Sequence, residues 1–344
     1  MRQLPGMRHA LRYLPERVRR RAGTGTRRRS RTMAAAVAAL ALALLAGALW
    51  INADDAPKYR GGPVSIATGV PTGVYHRYGQ LLAPRLRNNL QARVTIDATG
   101  GSVENLERVL DGRDTLGIAT ADSVANLAVE QRSGLRAVAR LYDDYVQLVV
   151  RRNSPVQKLE DLRGLRVVIG PPGSGVELIA RRILATVGMD PERDLAPVRA
   201  GIGDAAAQLR DGQVDAFFWS GGLPTGAVSE LTSATEIRFV PLGDTAKRLR
   251  EQFGQVYREA VIPADAYAGG REVPTVAVPN LLVTRADADT GLIRRVTGVV
   301  MGNREAIGTE VHAAQLVDPR TAVFTDPPLM LHEGARLWYR SAKP

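Results

Sequence analysis

Val64-Ser65-Ile66-Ala67, running into Thr68-Gly69-Val70-Pro71-Thr72-Gly73, is the stretch on which the fold turns. Val64, Ile66 and Ala67 predict a short buried strand, and the loop after it is rich in residues that turn the chain. A helix follows, with Val74, Tyr78, Leu81, Leu82 and Leu86 near helical spacing. Residues 93–98 come next as a strand in which Val94 and Ile96 alternate with polar neighbours, and then the turn Thr99-Gly100-Gly101-Ser102. Ser102 is placed to N-cap a second helix carrying Val103, Leu106, Val109 and Leu110. Asp111-Gly112 stops that helix, and residues 116–120 form another buried strand.

About a hundred residues on, the same order recurs. The strand at 165–169 leads into Gly170-Pro171-Pro172-Gly173-Ser174-Gly175, and a helix burying Val176, Ile179, Ile183, Leu184 and Val187 stops at Gly188. A strand at 195–199 precedes Ala200-Gly201-Ile202-Gly203-Asp204, with Asp204 as the expected N-cap. The next helix ends at Asp211-Gly212, 100 positions after the first Asp-Gly stop, and residues 214–219 form the closing strand. Two such units predict two α/β lobes, and parallel connections set the Gly-rich loops at the carboxyl edge of each sheet. Facing edges would enclose a cleft. The apolar stretches 145–150 and 275–283 are expected to join the lobes as a two-strand hinge. Lobe one is then 63–144 plus 277–344, including a helix at 288–306 and the Trp338-Tyr339 end, and lobe two is 145–276.

The net charge of +11 suggests nucleic acid until its distribution is read. Residues 1–32 hold eleven arginines and one acid, Glu16; removing them leaves 35 basic and 34 acidic residues, a net of +1. A phosphate-tracking surface on the folded part is thereby excluded. Residues 33–51 carry no charge and are mostly Ala and Leu, enough at about 1.5 Å per residue to cross a hydrocarbon core of roughly 30 Å. Trp50 stands at the far end and Asp54-Asp55 beyond it. Positive charge before the span and negative after it predict a cytoplasmic basic tail (1–32), a transmembrane signal-anchor (33–52), a linker (53–62) and an extracytoplasmic domain at the cell membrane. The competing reading is a cleaved signal peptide that leaves a secreted or periplasmic protein. There is no cysteine, so disulfides, thiol nucleophiles, Cys-based zinc sites and a lipidated N-terminal cysteine are all excluded.

Each predicted loop opens a helix, whose unpaired first-turn N–H groups and dipole favour an anion. Gly69, Gly73, Gly173 and Gly175 let backbone approach a ligand, while Thr68, Thr72, Ser102 and Ser174 add hydroxyls. Tight-turn geometry alone explains the glycines of any single loop equally well; four such loops favour a site. A P-loop is excluded because the second loop lacks a Gly-Lys-Ser/Thr ending and carries Glu177 instead. Gly69, Gly73 and Gly79 do not form a dinucleotide fingerprint either. The histidines, His9, His76, His312 and His332, show no metal-ligand spacing, so neither metal nor cofactor is expected; His76, in the first turn of an expected site helix, reads as a ligand contact or, in preference, as a solvent-facing helix position. Tyr75 follows the first loop, and Phe217, Phe218 and Trp219 end a strand just before Ser220-Gly221-Gly222. Asp122-Ser123 holds the equivalent strand end in the first unit, where Asp122 either binds a ligand amine or caps the next helix.

Ile66-Ala67-Thr68-Gly69, Gly73-Val74-Tyr75 and Ala98-Thr99-Gly100-Gly101-Ser102-Val103-Glu104-Asn105-Leu106 resemble the TAXI family, the extracytoplasmic solute-binding subunits of TRAP-type secondary transporters. Gly170-Pro171-Pro172-Gly173-Ser174-Gly175, Phe217-Phe218-Trp219-Ser220-Gly221-Gly222-Leu223-Pro224 and His332-Glu333-Gly334-Ala335 match in order too, over roughly residues 62–340. The resemblance implies a periplasmic-binding-protein-like fold that closes over a small organic acid or amino acid and delivers it to a TRAP-type permease. It further implies ligand contacts at Thr68, Gly73, Tyr75, Ser123, Ser174, Gly175, Trp219, Ser220, Gly221 and Gly222. Val70-Pro71-Thr72, His76 and Trp219 depart from the family pattern beside the expected pocket, so ligand identity does not carry over. Two other classes compete: a membrane-anchored ligand sensor, and an enzyme on the same scaffold, for which no nucleophile–base pair is evident.

Overall fold

The computed structural model describes residues 61–268 and 270–342, together with Val37, Leu40 and Tyr59. The basic tail, the expected span at 33–52 and most of the linker therefore lie outside the described residues. Among the described residues no helix is long and apolar enough to cross a membrane.

In the first part of the chain, β1 (Val64–Ala67) leads to α1 (Val74–Leu90), β2 (Val94–Asp97), α2 (Ser102–Leu110) and β3 (Leu116–Thr120). The short helices α3 (Ala121–Ala125) and α4 (Val129–Ser133) precede β4 (Leu135–Arg151). The second part runs β5 (Arg166–Val168), α5 (Gly175–Ala185), α6 (Pro191–Asp194), β6 (Ala196–Val198), α7 (Ile202–Arg210) and β7 (Ala216–Gly221). After it come α8 (Gly226–Ala234), β8 (Ile237–Phe239), α9 (Thr245–Phe253), β9 (Arg258–Ile262) and β10 (Val273–Arg285). The chain ends with α10 (Thr290–Gly302), α11 (Arg304–Gly308) and α12 (Glu333–Ser341), so the single helix expected at 288–306 is two, divided at Asn303.

The strands form one sheet in the order β2-β1-β3-β10-β4-β7-β5-β6, with β8 on β4 and β9 on β10. β1 pairs in parallel with β2 and β3, and β5 pairs in parallel with β6 and β7, so the same three-strand arrangement appears twice. The repeat extends to helix ends. α2 and α7 each have nine residues, and each stops at an Asp followed by a left-handed Gly, Gly112 at φ 71° and Gly212 at φ 73°.

Between the two triplets run β4 and β10, antiparallel to each other. β4 has 17 residues, roughly 55 Å at about 3.3 Å per residue, far beyond a usual strand. It pairs with β10 through Leu135–Tyr145 register positions and then with β7 from Tyr145 to Val150. β10 pairs with β9 up to Ala277 and with β3 from Asn280 to Thr284. Tyr145 and Ala277 face one another at this change of partners.

Two helix starts differ from the sequence expectation. Gly101, at φ 126°, is the N-cap of α2, and Ser102 is its first helical residue, with Oγ accepting the Thr120 N–H at 3.2 Å. Only glycine tolerates that backbone region, and it turns the chain one residue earlier than Ser102 as cap. Gly201 likewise caps α7, leaving Asp204 inside the first turn. Ser174 does cap α5, its Oγ accepting the Glu177 N–H at 3.1 Å.

Candidate functional site

The loops after β1, β2 and β5 meet the end of β7 around a cavity of about 510 Å³, its open mouth included. Gly69, Val70, Gly73, Val74 and Tyr75 line one wall, and Gly100, Gly101, Ser102 and Thr120 the next. Pro171, Gly175 and Val176 come from the second triplet, with Trp219, Ser220 and Gly221 from β7 and Asp144 from β4. The lining carries no Lys, Arg or His among the described residues.

Three helices of nine or more residues begin at this cavity: α1 at Val74, α2 at Ser102 and α5 at Gly175. The N-caps of α1 and α2 are glycines, which supply no side-chain acceptor to the first-turn N–H groups. Each such N-terminus is worth about 0.3–1 kcal/mol to an anion, up to about 2 when partly buried. Their convergence supplies positive potential without a basic side chain. Glu104 and Glu177 are turned away onto their own loops, accepting from Gly100 N at 2.7 Å and Gly173 N at 3.0 Å.

The loops of the two triplets touch across the cavity edge. A Cβ on Gly175 would stand 2.9 Å from Ser102 Oγ and 3.2 Å from Thr120 Oγ1, and one on Gly100 would stand 3.2 Å from the Pro172 carbonyl oxygen. Glycine is required at this contact because backbone meets side chain with no room for a methyl group.

Asp144 is 2 % exposed and lies where β4 passes the cavity. Asn280 Nδ2, from β10, donates to its Oδ1 at 2.6 Å. The Tyr75 hydroxyl donates to Asn280 Oδ1 and is 3.4 Å from both Asp144 Oδ2 and Ser102 Oγ. Burial pushes the Asp144 carboxyl up to about 7, and the neighbouring Asp143 and Asp122 act in the same direction against the Asn280 and Tyr75 bonds. Burial, then Asp144, hold the Tyr75 hydroxyl well above its ordinary value, so it stays a donor. Ser220, 7 % exposed, has an Oγ with no hydrogen-bond partner among the described residues. A buried hydroxyl left unmade costs about 1–3 kcal/mol, which a ligand at this wall would recover. Trp219 Nε1 donates to Thr225 Oγ1 at 3.0 Å, fixing the indole against Gly221.

Of the residues singled out from sequence, Gly69, Gly73, Tyr75, Ser102, Gly175, Trp219, Ser220 and Gly221 line this cavity. Thr72 and Gly222 line an adjoining depression with Arg77, Glu310 and His312. Thr68 lies behind the wall, donating to the Asp97 carbonyl at 2.8 Å, with His76 Nδ1 3.1 Å from its Oγ1, so His76 is only partly turned to solvent. Gly173 and Ser174 shape the start of α5, and Ser123 Oγ is 2.8 Å from Thr120 Oγ1. Asp122, 1 % exposed, neither lines the cavity nor caps a helix. Its Oδ2 accepts from the Tyr257 hydroxyl at 3.3 Å and stands 3.9 Å from Arg182. Asp144, Asn280 and Thr120 escape the sequence reading. The one signal for Asp144 is the acidic pair Asp143-Asp144, the only acids in a strand whose other charges are arginines.

A chain with this duplicated α/β sheet and this cavity belongs to the NMT1-like family, which it matches over residues 66–342. Among solved structures it is similar to the putative L-cystine ABC transporter from Listeria monocytogenes, at 14% identity over 74% of this chain and 98% of that chain, TM-score 0.49. It is also similar to an ancestral arginine-binding protein bound to arginine (13%, 74% and 99%, TM-score 0.48). The periplasmic aliphatic sulphonate binding protein SsuA from Escherichia coli is a further likeness (16%, 74% and 75%, TM-score 0.43).

Proposed function

We propose that this chain is an extracytoplasmic solute-binding protein with a periplasmic-binding-protein-like fold, which captures a small organic acid or amino acid between two lobes. The observation that carries this reading is the convergence of three helix N-termini on one cavity whose wall also holds the unpartnered Ser220 hydroxyl. Fixed dipoles and unmade hydrogen bonds suit reversible holding of an anion. Lobe one is 63–144 plus 277–344 and lobe two is 145–276, with β4 and β10 as the hinge; the facing pair Tyr145 and Ala277 supports that boundary. Ligand contacts are proposed at Gly73, Tyr75, Ser102, Gly175, Trp219, Ser220 and Gly221, which line the cavity, and, through the segments that carry them, at Thr68, Thr72, Ser123, Gly173, Ser174 and Gly222; Asp122, held by Tyr257 and Arg182, is not among them.

The resemblance to the TAXI family supports a TRAP-type permease as the partner that receives the solute. The sequence of residues 1–55 supports a signal-anchor at 33–52 that holds the domain on the outer face of the membrane. Mass spectrometry of the chain extracted from membranes is expected to find residues 1–32 retained; a mature N-terminus near Asp54 would overturn the anchor.

Thermal unfolding of the full chain in detergent, screened against dicarboxylates, amino acids and sulfonates, tests solute capture. A true ligand at a hundred times its Kd is expected to add about 2.7 kcal/mol of stability. A broad panel in which no compound raises Tm would remove the reading.

A further inference from the structure

We propose that Asp144 selects for solutes that carry a cationic nitrogen as well as an anionic group. The inference rests on reading the cavity as a solute site. One end of the solute is set by the N-termini of α1, α2 and α5, which favour negative charge. Asp144 lines the same cavity and is the only ionisable side chain there besides the Tyr75 hydroxyl, among the described residues.

The hydrogen-bond inventory of Asp144 is incomplete on one side. Oδ1 takes the Asn280 amide at 2.6 Å. Tyr75 has a single proton, committed to Asn280 Oδ1, so Oδ2 receives nothing better than a 3.4 Å approach. No cation compensates this carboxylate among the described residues. Tyr75 faces it from α1, Tyr142 and Asp143 flank it on β4, Asn280 faces it from β10, and Asp122 acts on it from α3. Asp143 is itself tied to Arg140 at 2.6 and 2.9 Å, and Asp122 stands beside Arg182. An ammonium group in the cavity would supply both the missing charge and the missing donors.

The carboxyl, raised to about 7 in the empty site, has its charged form favoured by a bound ammonium, so capture of such a solute releases a proton below about pH 7. Its affinity is expected to fall about tenfold per pH unit below 7. A solute with carboxylate alone needs Asp144 protonated and shows the opposite slope, weakening above 7.

Calorimetric titration of the full chain in detergent with matched pairs separates these outcomes. The probes are alanine and propionate, aspartate and succinate, glutamate and glutarate, phenylalanine and hydrocinnamate, each at pH 5.5, 7 and 8.5. The wild-type chain is expected to favour the amino acid of any pair it binds by at least about tenfold at pH 8.5. Asp144→Asn is expected to erase that preference and the pH slope together. If deamino acids bind as well as amino acids, or if Asp144→Asn keeps the preference, the inference falls while solute binding stands. If no probe of either kind binds, the solute-binding reading falls and takes the inference with it. The wild-type pH slope needs no variant, so the test holds even where Asp144→Asn fails to fold.

Discussion

Gly175→Ala is expected to weaken solute capture about a hundredfold while leaving the chain folded. The added methyl would stand 2.9 Å from Ser102 Oγ and 3.2 Å from Thr120 Oγ1, on the other side of the cavity edge. Ser102 cannot rotate away without giving up the Thr120 N–H that it accepts at 3.2 Å. Overpacking of this kind costs about 1–3 kcal/mol, and it falls on the contact between the two triplets of strands, not inside either. On the proposed two-lobe reading, in which the lobes close through this contact, a cost of about 3 kcal/mol lowers the population of the closed arrangement roughly a hundredfold, and apparent affinity falls with it. The backbone at Gly175 is the first turn of α5 and φ there is not positive, so alanine is compatible with the helix and slightly favours it. Calorimetry should therefore show the loss in Kd, with unliganded stability changed by less than about 1 kcal/mol. Unchanged affinity would mean that the contact has no part in capture.

Asp144→Asn is expected to stabilise the unliganded chain at pH 8 by about 2–4 kcal/mol and to have little effect at pH 4. The folded-state value of Asp144 is about 7, above the unfolded carboxylate range, because burial disfavours its charge. A raised value means that the protonated form fits the fold. Its stabilising contribution is complete below about pH 4 and is lost as pH rises through about 7. The wild-type chain should thus grow more stable from pH 8 to pH 5, whereas the substituted chain should not share that part of the slope. The carbonyl oxygen of the introduced amide can still accept from Asn280 Nδ2, so the exchange removes charge without orphaning a partner. Asp122 is also raised by burial and adds a slope of the same sign, but it is present in both chains and cancels in the difference. Urea unfolding at the two pH values reads the effect; a variant less stable than wild type at pH 8 would show that Asp144 is a structural anchor.

Much of the fold is legible in the sequence. The alternation in Val94 and Ile96, the helical spacing from Val74 to Leu86 and the paired Asp-Gly stops are local signals, because backbone geometry writes its period into neighbouring residues. Of the site, the glycines that approach closely are readable for the same reason. Ser102 and Asp204 read as caps, yet a preceding glycine takes that position in each case; side-chain preference does not reveal the φ of 126° at Gly101, nor that the cap of α7 lies three residues before Asp204. Asp122 sits at the strand end where a ligand contact is expected, but Arg182 and Tyr257 from distant parts of the chain occupy it.

The duplicated strand and loop pattern, which begins with the stretch from Val64 to Gly73, is determined by the sequence itself, since each unit is specified by residues within about fifty positions of one another. What the tertiary structure alone decides is the constellation of Tyr75, Asp144 and Asn280. Asp144 and Asn280 are brought together by β4 and β10, whose register sets Val278 opposite Asp144, across more than 130 positions, and Tyr75 reaches them from the start of α1. Register between distant strands is chosen by burial over the whole sheet, so no window of sequence contains it.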